Sequence, residues 1–181
     1  MAALRQGPNL RRLICRSRLH PMPTDRPRRE TRNTPGWRRC GGNKGPCPIC
    51  PYTPHHATEV IGQVTGYIHT IKEPVNCKDE NVIYQWKCTK PNCKDHPKTE
   101  YEGKTTQSFQ KRFSQHRDYV KREITSEASG EHFNLPGHSV ADMQGLVLEK
   151  VKSKDPFVLK AREHFFIQKF DSFRHGLNRE R

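Results

Sequence analysis

The chain has 181 residues, of which 33 are Lys or Arg and 19 are Asp or Glu, giving a net charge of +14. That excess fits a polyanionic partner, nucleic acid first, better than an acidic protein surface, and a hydrophobic content of 31% is low for a chain packed throughout. No apolar run approaches the roughly 18 residues of a membrane span, and Met1 to Leu19 carries arginines where a secretory signal needs an apolar stretch, so no membrane partner and a soluble, intracellular chain are expected.

Residues 1–38 read as a basic flexible arm. Eleven arginines and two acids lie between Met1 and Arg39, and Pro21, Pro23, Pro27 and Pro35 break any amphipathic helix. So few apolar residues cannot offset the entropy of ordering.

Residues 39–79 read as a separate Gly-, Pro- and Cys-rich module, too poor in aliphatic residues to fold on a hydrophobic core alone. Seven cysteines is an odd number, and a reducing compartment disfavours disulfides, so closely spaced pairs are read as metal ligands. Cys15 stands alone as a plain thiol. Cys40-x6-Cys47-x2-Cys50 is a zinc-knuckle pattern with three thiolates, for which Cys77, His55, His56 and His69 compete as the fourth ligand. Cys77 is preferred because it completes an all-thiolate set. Arg38, Arg39 and Lys44 nearby are candidates for phosphate contact.

From residue 80 onward the patterns become regular. NVIYQWKC alternates Val82, Tyr84, Trp86 and Cys88 against Ile83, Gln85 and Lys87, the period of a half-buried strand, and TEYEGKT reads as a second strand ending in a glycine turn. SFQKRFSQHRDYVKREI places Phe109, Phe113, Val120 and Ile124 on one helical stripe. GLVLEKV reads as a third strand, and Asp155-Pro156 supplies a cap and first-turn proline for a helix through Phe170. The expected fold is α+β, with a three-stranded sheet.

Arg112 and His116, four apart on the first helix, share a face and can address one ligand, the guanidinium a phosphate and the imidazole a proton. Taken alone, such a pair on an exposed helix face is ordinary surface. On the last helix Leu159, Glu163, Phe166 and Phe170 share a stripe, leaving one carboxylate in an apolar row that must pair or bind a cation. A structural ion pair with Arg162 or another base is the plain alternative. Hard divalent metals such as Mg²⁺ accept a single carboxylate with water and phosphate oxygens.

VIY (82–84), YEG (101–103), the Arg112/His116 pair, Glu163 and GLN (176–178) together resemble the GIY-YIG endonucleases over about 100 residues. Within that family the chain looks most like the endonuclease of Penelope-like retroelements. PNLRRLICRSRL (8–19) also looks like the tail of their reverse transcriptase, which would make the chain a C-terminal piece or a degenerate copy. The resemblance implies an antiparallel GIY-YIG sheet flanked by helices, and phosphodiester hydrolysis with one Mg²⁺ or Mn²⁺. Tyr101, with Tyr84, would orient or deprotonate the attacking water. Lys104 would lower the pKa of Tyr101 or touch phosphate, and Arg112 would stabilise the pentacovalent phosphate. His116 would assist proton transfer, Glu163 would hold the metal, and Asn178 would brace the site. Lys111 and Arg117 are further expected DNA contacts.

Two positions depart from the family pattern: Val82 replaces a glycine, and Glu102 stands where an aliphatic residue is usual. Glu102 points away from Tyr101 in a strand, so altered packing rather than lost chemistry is expected. Sixteen residues separate Tyr84 from Tyr101, and they hold Cys88-x4-Cys93. Spacing nominates His96 as the next zinc ligand, while the resemblance points to His132 and His138 in HFNLPGH.

The function expected is a nuclear, DNA-nicking endonuclease of a retroelement, with DNA, element RNA and reverse transcriptase as partners, whose cut leaves a 3′-hydroxyl for priming. The rival is a catalytically inactive, zinc-stabilised nucleic-acid-binding module. A host repair nuclease is a third reading.

Overall fold

The described part of a computed structural model comprises residues 34–41, 46–91, 93 and 99–179. The arginine arm up to residue 33, Lys44 and His96 lie outside it. The first described element is a strand, β1 (Gly36–Arg38), which lies between β2 (His56–Ala57), antiparallel to it, and β5 (Pro74–Asn76), parallel to it. Between β2 and β5, β3 (Glu59–Ile61) and β4 (Ile68–Thr70) form a small antiparallel pair.

Trp37 on β1 is fully buried, donates its indole N–H to the Pro54 carbonyl at 3.0 Å, and meets the Phe109 ring edge-on at 5.5 Å. The expected boundary between residues 38 and 39 therefore falls at the end of a strand whose tryptophan is core. An arginine- and proline-rich neighbourhood masked that one large apolar group. Nor are 39–79 and 80–181 separate bodies, since residues 32–181 form one unit and β5 packs along β8, the last strand of the next sheet.

That sheet has three antiparallel strands, with β6 (Val82–Cys88) between β7 (Glu100–Thr105) and β8 (Met143–Lys150). The helices are α1 (Phe109–Lys121), α2 (Ala128–Phe133), α3 (Pro156–Phe170) and α4 (Ser172–His175), so the architecture is α+β. Asp155 caps α3 as expected, accepting from the Phe157 N–H at 2.8 Å, with Pro156 in the first turn. No described helix is long and apolar enough to cross a membrane.

β6 differs from the half-buried strand its alternation predicts. Val82, Ile83, Tyr84, Gln85 and Trp86 are all buried, because α1 and α2 cover the Tyr84/Trp86 face while α3 and α4 cover the other. On that second face Gln85 donates to Glu102 at 2.9 Å. Glu102 is fully buried, and burial pushes its carboxyl up to about 8, against the opposing influence of nearby Ser172 and the hydrogen bond from Gln85.

Two outcomes follow from this packing. Trp37→Ala should lose about 3–5 kcal/mol of stability, measured by denaturant unfolding, whereas an arm residue would lose almost nothing. Because Glu102 binds its proton more tightly folded than unfolded, its contribution is fully present below pH 4.5 and disappears as pH rises through about 8. Glu102→Gln should therefore gain on wild type steadily between those values, read as a widening gap in melting temperature. A constant gap across that range would refute the buried neutral carboxyl.

Candidate active site and metal centres

The helix that carries Arg112 and His116 starts on a prepared seat. Its first N–H groups have no intrahelical partner, and here the Phe109 and Gln110 amides donate to the carbonyls of Asp79 and Cys77 at 2.9 and 2.8 Å. Ser108 caps the same turn through the Lys111 amide. The Arg112/His116 face turns onto the sheet rather than to solvent: His116 is only 2% exposed. Its Nε2 lies 2.7 Å from the Tyr84 hydroxyl, which also accepts from Arg112 Nε at 3.1 Å. Arg112 Nη1 donates to Gln115 at 3.2 Å.

Tyr84 is fully buried, and Tyr101 stacks on Trp86 with ring centroids 5.0 Å apart. The two tyrosine rings approach to 6.4 Å, and a Cβ on Gly103 would stand 2.6 Å from the Tyr84 hydroxyl, so only glycine fits between them. Burial raises both phenols above their ordinary value, with Arg112 opposing the rise. Burial and Arg112 together hold the His116 imidazole down at about 3. Lys104 does not lower Tyr101 as expected, because its ammonium is engaged elsewhere.

Its partner is Glu163. That side chain is 14% exposed, and one carboxylate oxygen accepts from the Lys104 ammonium while the other accepts from the Lys104 backbone N–H at 3.0 Å. The plain alternative of an ion pair is thus realised, with Lys104 rather than Arg162, which bonds Glu149 instead. Glu163 sits close enough to raise both tyrosines. Asn178 clasps the outer backbone of Glu102, accepting from its N–H at 3.0 Å and donating to its carbonyl at 2.6 Å. The corner so formed contains Tyr84, Tyr101, Lys104, Arg112, His116 and Glu163, with Asn178 fixing the strand beneath. None of these lines the groove of about 650 Å³ between β4 and β8.

Among the described residues, two clusters have metal-ligand composition. The sulfurs of Cys40, Cys47, Cys50 and Cys77 all lie within 4.8 Å of one another, with Cys50 at 3.8 Å from Cys40 and 3.6 Å from Cys77. A tetrahedral zinc with bonds of about 2.3 Å needs sulfur pairs about 3.8 Å apart, so this group can hold a structural zinc. His69, a competitor for the fourth place, bonds the Leu148 carbonyl and packs on Phe166. Cys88, Cys93, His132 and His138 form the second group, with Cys93 Sγ 3.5 Å from His132 Nε2, close to the roughly 3.6 Å of a sulfur–nitrogen edge. The buried Nε2 of His138 has no hydrogen-bond partner, which fits a ligand atom. Burial raises the Cys50 and Cys77 thiols, and that of Cys88 to about 12, so a cation is needed to make thiolates of them.

Of the expected DNA contacts, Lys111 is exposed on α1. Arg39 donates to the Thr53 carbonyl at 2.6 Å, and Arg117 donates to the Pro48 carbonyl while lying 3.7 Å over the Tyr52 ring. Arg38 bonds Thr34. Arg39 and Arg117 tie chain segments together, a role that charge counting does not reveal. Sequence reasoning also missed Ser129, which contacts His116, and read Gly103 only as a turn.

No family model matches the chain, and no curated protein or solved structure matches it.

Elemental analysis of the purified protein should find about two zinc ions per chain. Cys77→Ser and Cys88→Ser should each remove about one, with a lower melting temperature. Full zinc content in both variants would dissolve the ligand assignments.

Proposed function

We propose that the chain is a DNA endonuclease of GIY-YIG type that nicks by phosphodiester hydrolysis. The single observation that carries the reading is the Arg112–Tyr84–His116 hydrogen-bonded chain, set beside Tyr101 and Glu163. Water attacks phosphorus and gives up a proton, the bond to O3′ breaks, and O3′ takes a proton from solvent to leave as a hydroxyl. Tyr101 orients the water, and Arg112 supplies fixed positive charge for the crowded phosphate. His116 is neutral at physiological pH, so its Nε2 lone pair is available, and the negative charge of an incoming phosphate would raise the imidazole from its low resting value toward accepting a proton relayed through Tyr84. Both phenols are raised, so at rest neither tyrosine is a ready base and orientation is the role their chemistry favours.

Glu163 fits a divalent cation, since its carboxylate reaches solvent and its ammonium partner, 36% exposed, is free to turn to a phosphate. Mg²⁺ or Mn²⁺ held there would offset charge on the phosphate oxygens. The nuclear, retroelement setting, with element RNA and reverse transcriptase as partners and the 3′-hydroxyl as primer, belongs to this reading through the resemblance of the motifs alone.

One observation favours a second reading, an inactive zinc-stabilised nucleic-acid-binding module: the Lys104–Glu163 pair neutralises the carboxylate a metal needs. Supercoiled plasmid with Mg²⁺ or Mn²⁺ separates the two. Wild type should convert it to open circles, and Arg112→Ala and Glu163→Ala should slow this on the order of 10²–10³-fold. Equal nicking by all three would sink the site. DNA binding without nicking by wild type would establish the second reading.

A further inference from the structure

Ser129, on the short helix α2, is fully buried against α1. Its Oγ lies 3.2 Å from the carbonyl oxygen of His116 and 3.4 Å from His116 Nδ1. A hydroxyl has one proton, and a carbonyl can only accept. Once Ser129 donates to that carbonyl, its oxygen faces Nδ1 with lone pairs, and Nδ1 must carry the ring proton. Nε2 is then the acceptor, so the Tyr84 hydroxyl donates to it across 2.7 Å. The opposite end gives the same answer. Arg112 Nε is a permanent donor, so the Tyr84 oxygen accepts there and has its one proton left for His116. A chain with a donor-only group at one end and an acceptor-only group at the other has a single direction.

We propose that Ser129 is a positioning residue that fixes His116 in the Nδ1–H tautomer and so makes Nε2 the acceptor end of the Arg112–Tyr84–His116 relay. It touches no reacting atom and acts through His116. Its own placement is held on two sides. A Cβ on Gly130 would come within 2.0 Å of the Ile124 carbonyl, so glycine lets α2 press against the chain leaving α1. The Asn134 amide bridges the carbonyls of Val120 and Gly130 at 3.2 and 2.8 Å, tying the end of α2 to the end of α1. The kinetic consequence rests on the nuclease reading; the tautomer does not.

The full zinc-loaded chain, labelled with ¹⁵N-histidine, gives the tautomer directly from long-range proton–nitrogen correlations, with His116 identified by the signal lost in His116→Gln. Wild type should show a protonated Nδ1 and an unprotonated Nε2. Ser129→Ala should lose that single-tautomer pattern and lower kcat for nicking ten- to a hundredfold, with KM within about twofold. Ser129→Thr, which keeps the hydroxyl, should restore both. A proton on Nε2 in wild type overturns the proposal, as does a Ser129→Ala chain that keeps wild-type tautomer and kcat. If Ser129→Ala does not fold by circular dichroism, the wild-type and threonine spectra decide alone. Absence of nicking by wild type would remove the nuclease reading and leave the tautomer to be decided by the spectra.

Discussion

The middle strand of a three-stranded sheet presents a difficulty when five consecutive residues, Val82 to Trp86, are all buried. Neither face can meet water, so the sheet must be covered twice by a chain short of apolar residues. Helices α1 and α2 take the face that holds Tyr84 and Trp86, and α3 and α4 take the other. The Cys-rich segment completes the cover rather than standing apart: Trp37 packs on Phe109, and the carbonyls of Cys77 and Asp79 seat the first turn of α1. The cysteine cluster thus includes a residue, Cys77, whose own backbone supports the helix bearing Arg112 and His116. Loss of that cluster would free the seat as well as the module.

Most polar groups inside this sheet are paired, since an unsatisfied one costs about 1–3 kcal/mol, although Trp86 Nε1 and one Glu102 carboxyl oxygen have no hydrogen-bond partner. Tyr84 uses its proton on His116 and its oxygen on Arg112. His116 uses both ring nitrogens. Glu102 holds its proton under neutral conditions and accepts from Gln85. The same burial raises the two phenols and depresses the imidazole, so all three are neutral near pH 7. Arg112 is the fixed charge among them. A site of this kind is quiet until a ligand brings charge of its own, as the polyanion of the proposed reading would.

The sequence disclosed those elements whose burial repeats with a period. Alternation located β6, and a helical stripe located α1 and α3, because each pattern records local exposure. Ligand spacing exposed the cysteines for the same reason. Trp37 escaped because a three-residue strand among arginines and prolines has no period to read. The second face of β6 escaped because Gln85 looks like a solvent-facing position, and only Glu102, seventeen residues away, makes it otherwise. Ser129 lies thirteen residues from His116, and Lys104 lies fifty-nine from Glu163. Such partners are set by tertiary closeness, and one sequence carries no mark of it. The expected site residues could be named from motif order, whereas which of them pair with each other could not.

The outer edge of β7 shows why fold and site cannot be separated here. An unpaired strand edge invites pairing with another chain and is normally blocked. On β7 the Glu100 carbonyl is taken by the Leu177 amide, both backbone groups of Glu102 by Asn178, and the Lys104 N–H by Glu163. The residues that close the edge are therefore the ones the motif resemblance assigns to chemistry. They are not equally committed. One oxygen of Glu163 is fixed to backbone, which does not move, while the other is held by an ammonium on a long, partly exposed stem. On the proposed nuclease reading, a phosphate would draw Lys104 away, the first oxygen would keep the carboxylate in place, and the second would be free to hold a divalent cation. Edge protection then serves as preorganisation, and replacing Glu163 would be felt in both the sheet and the site.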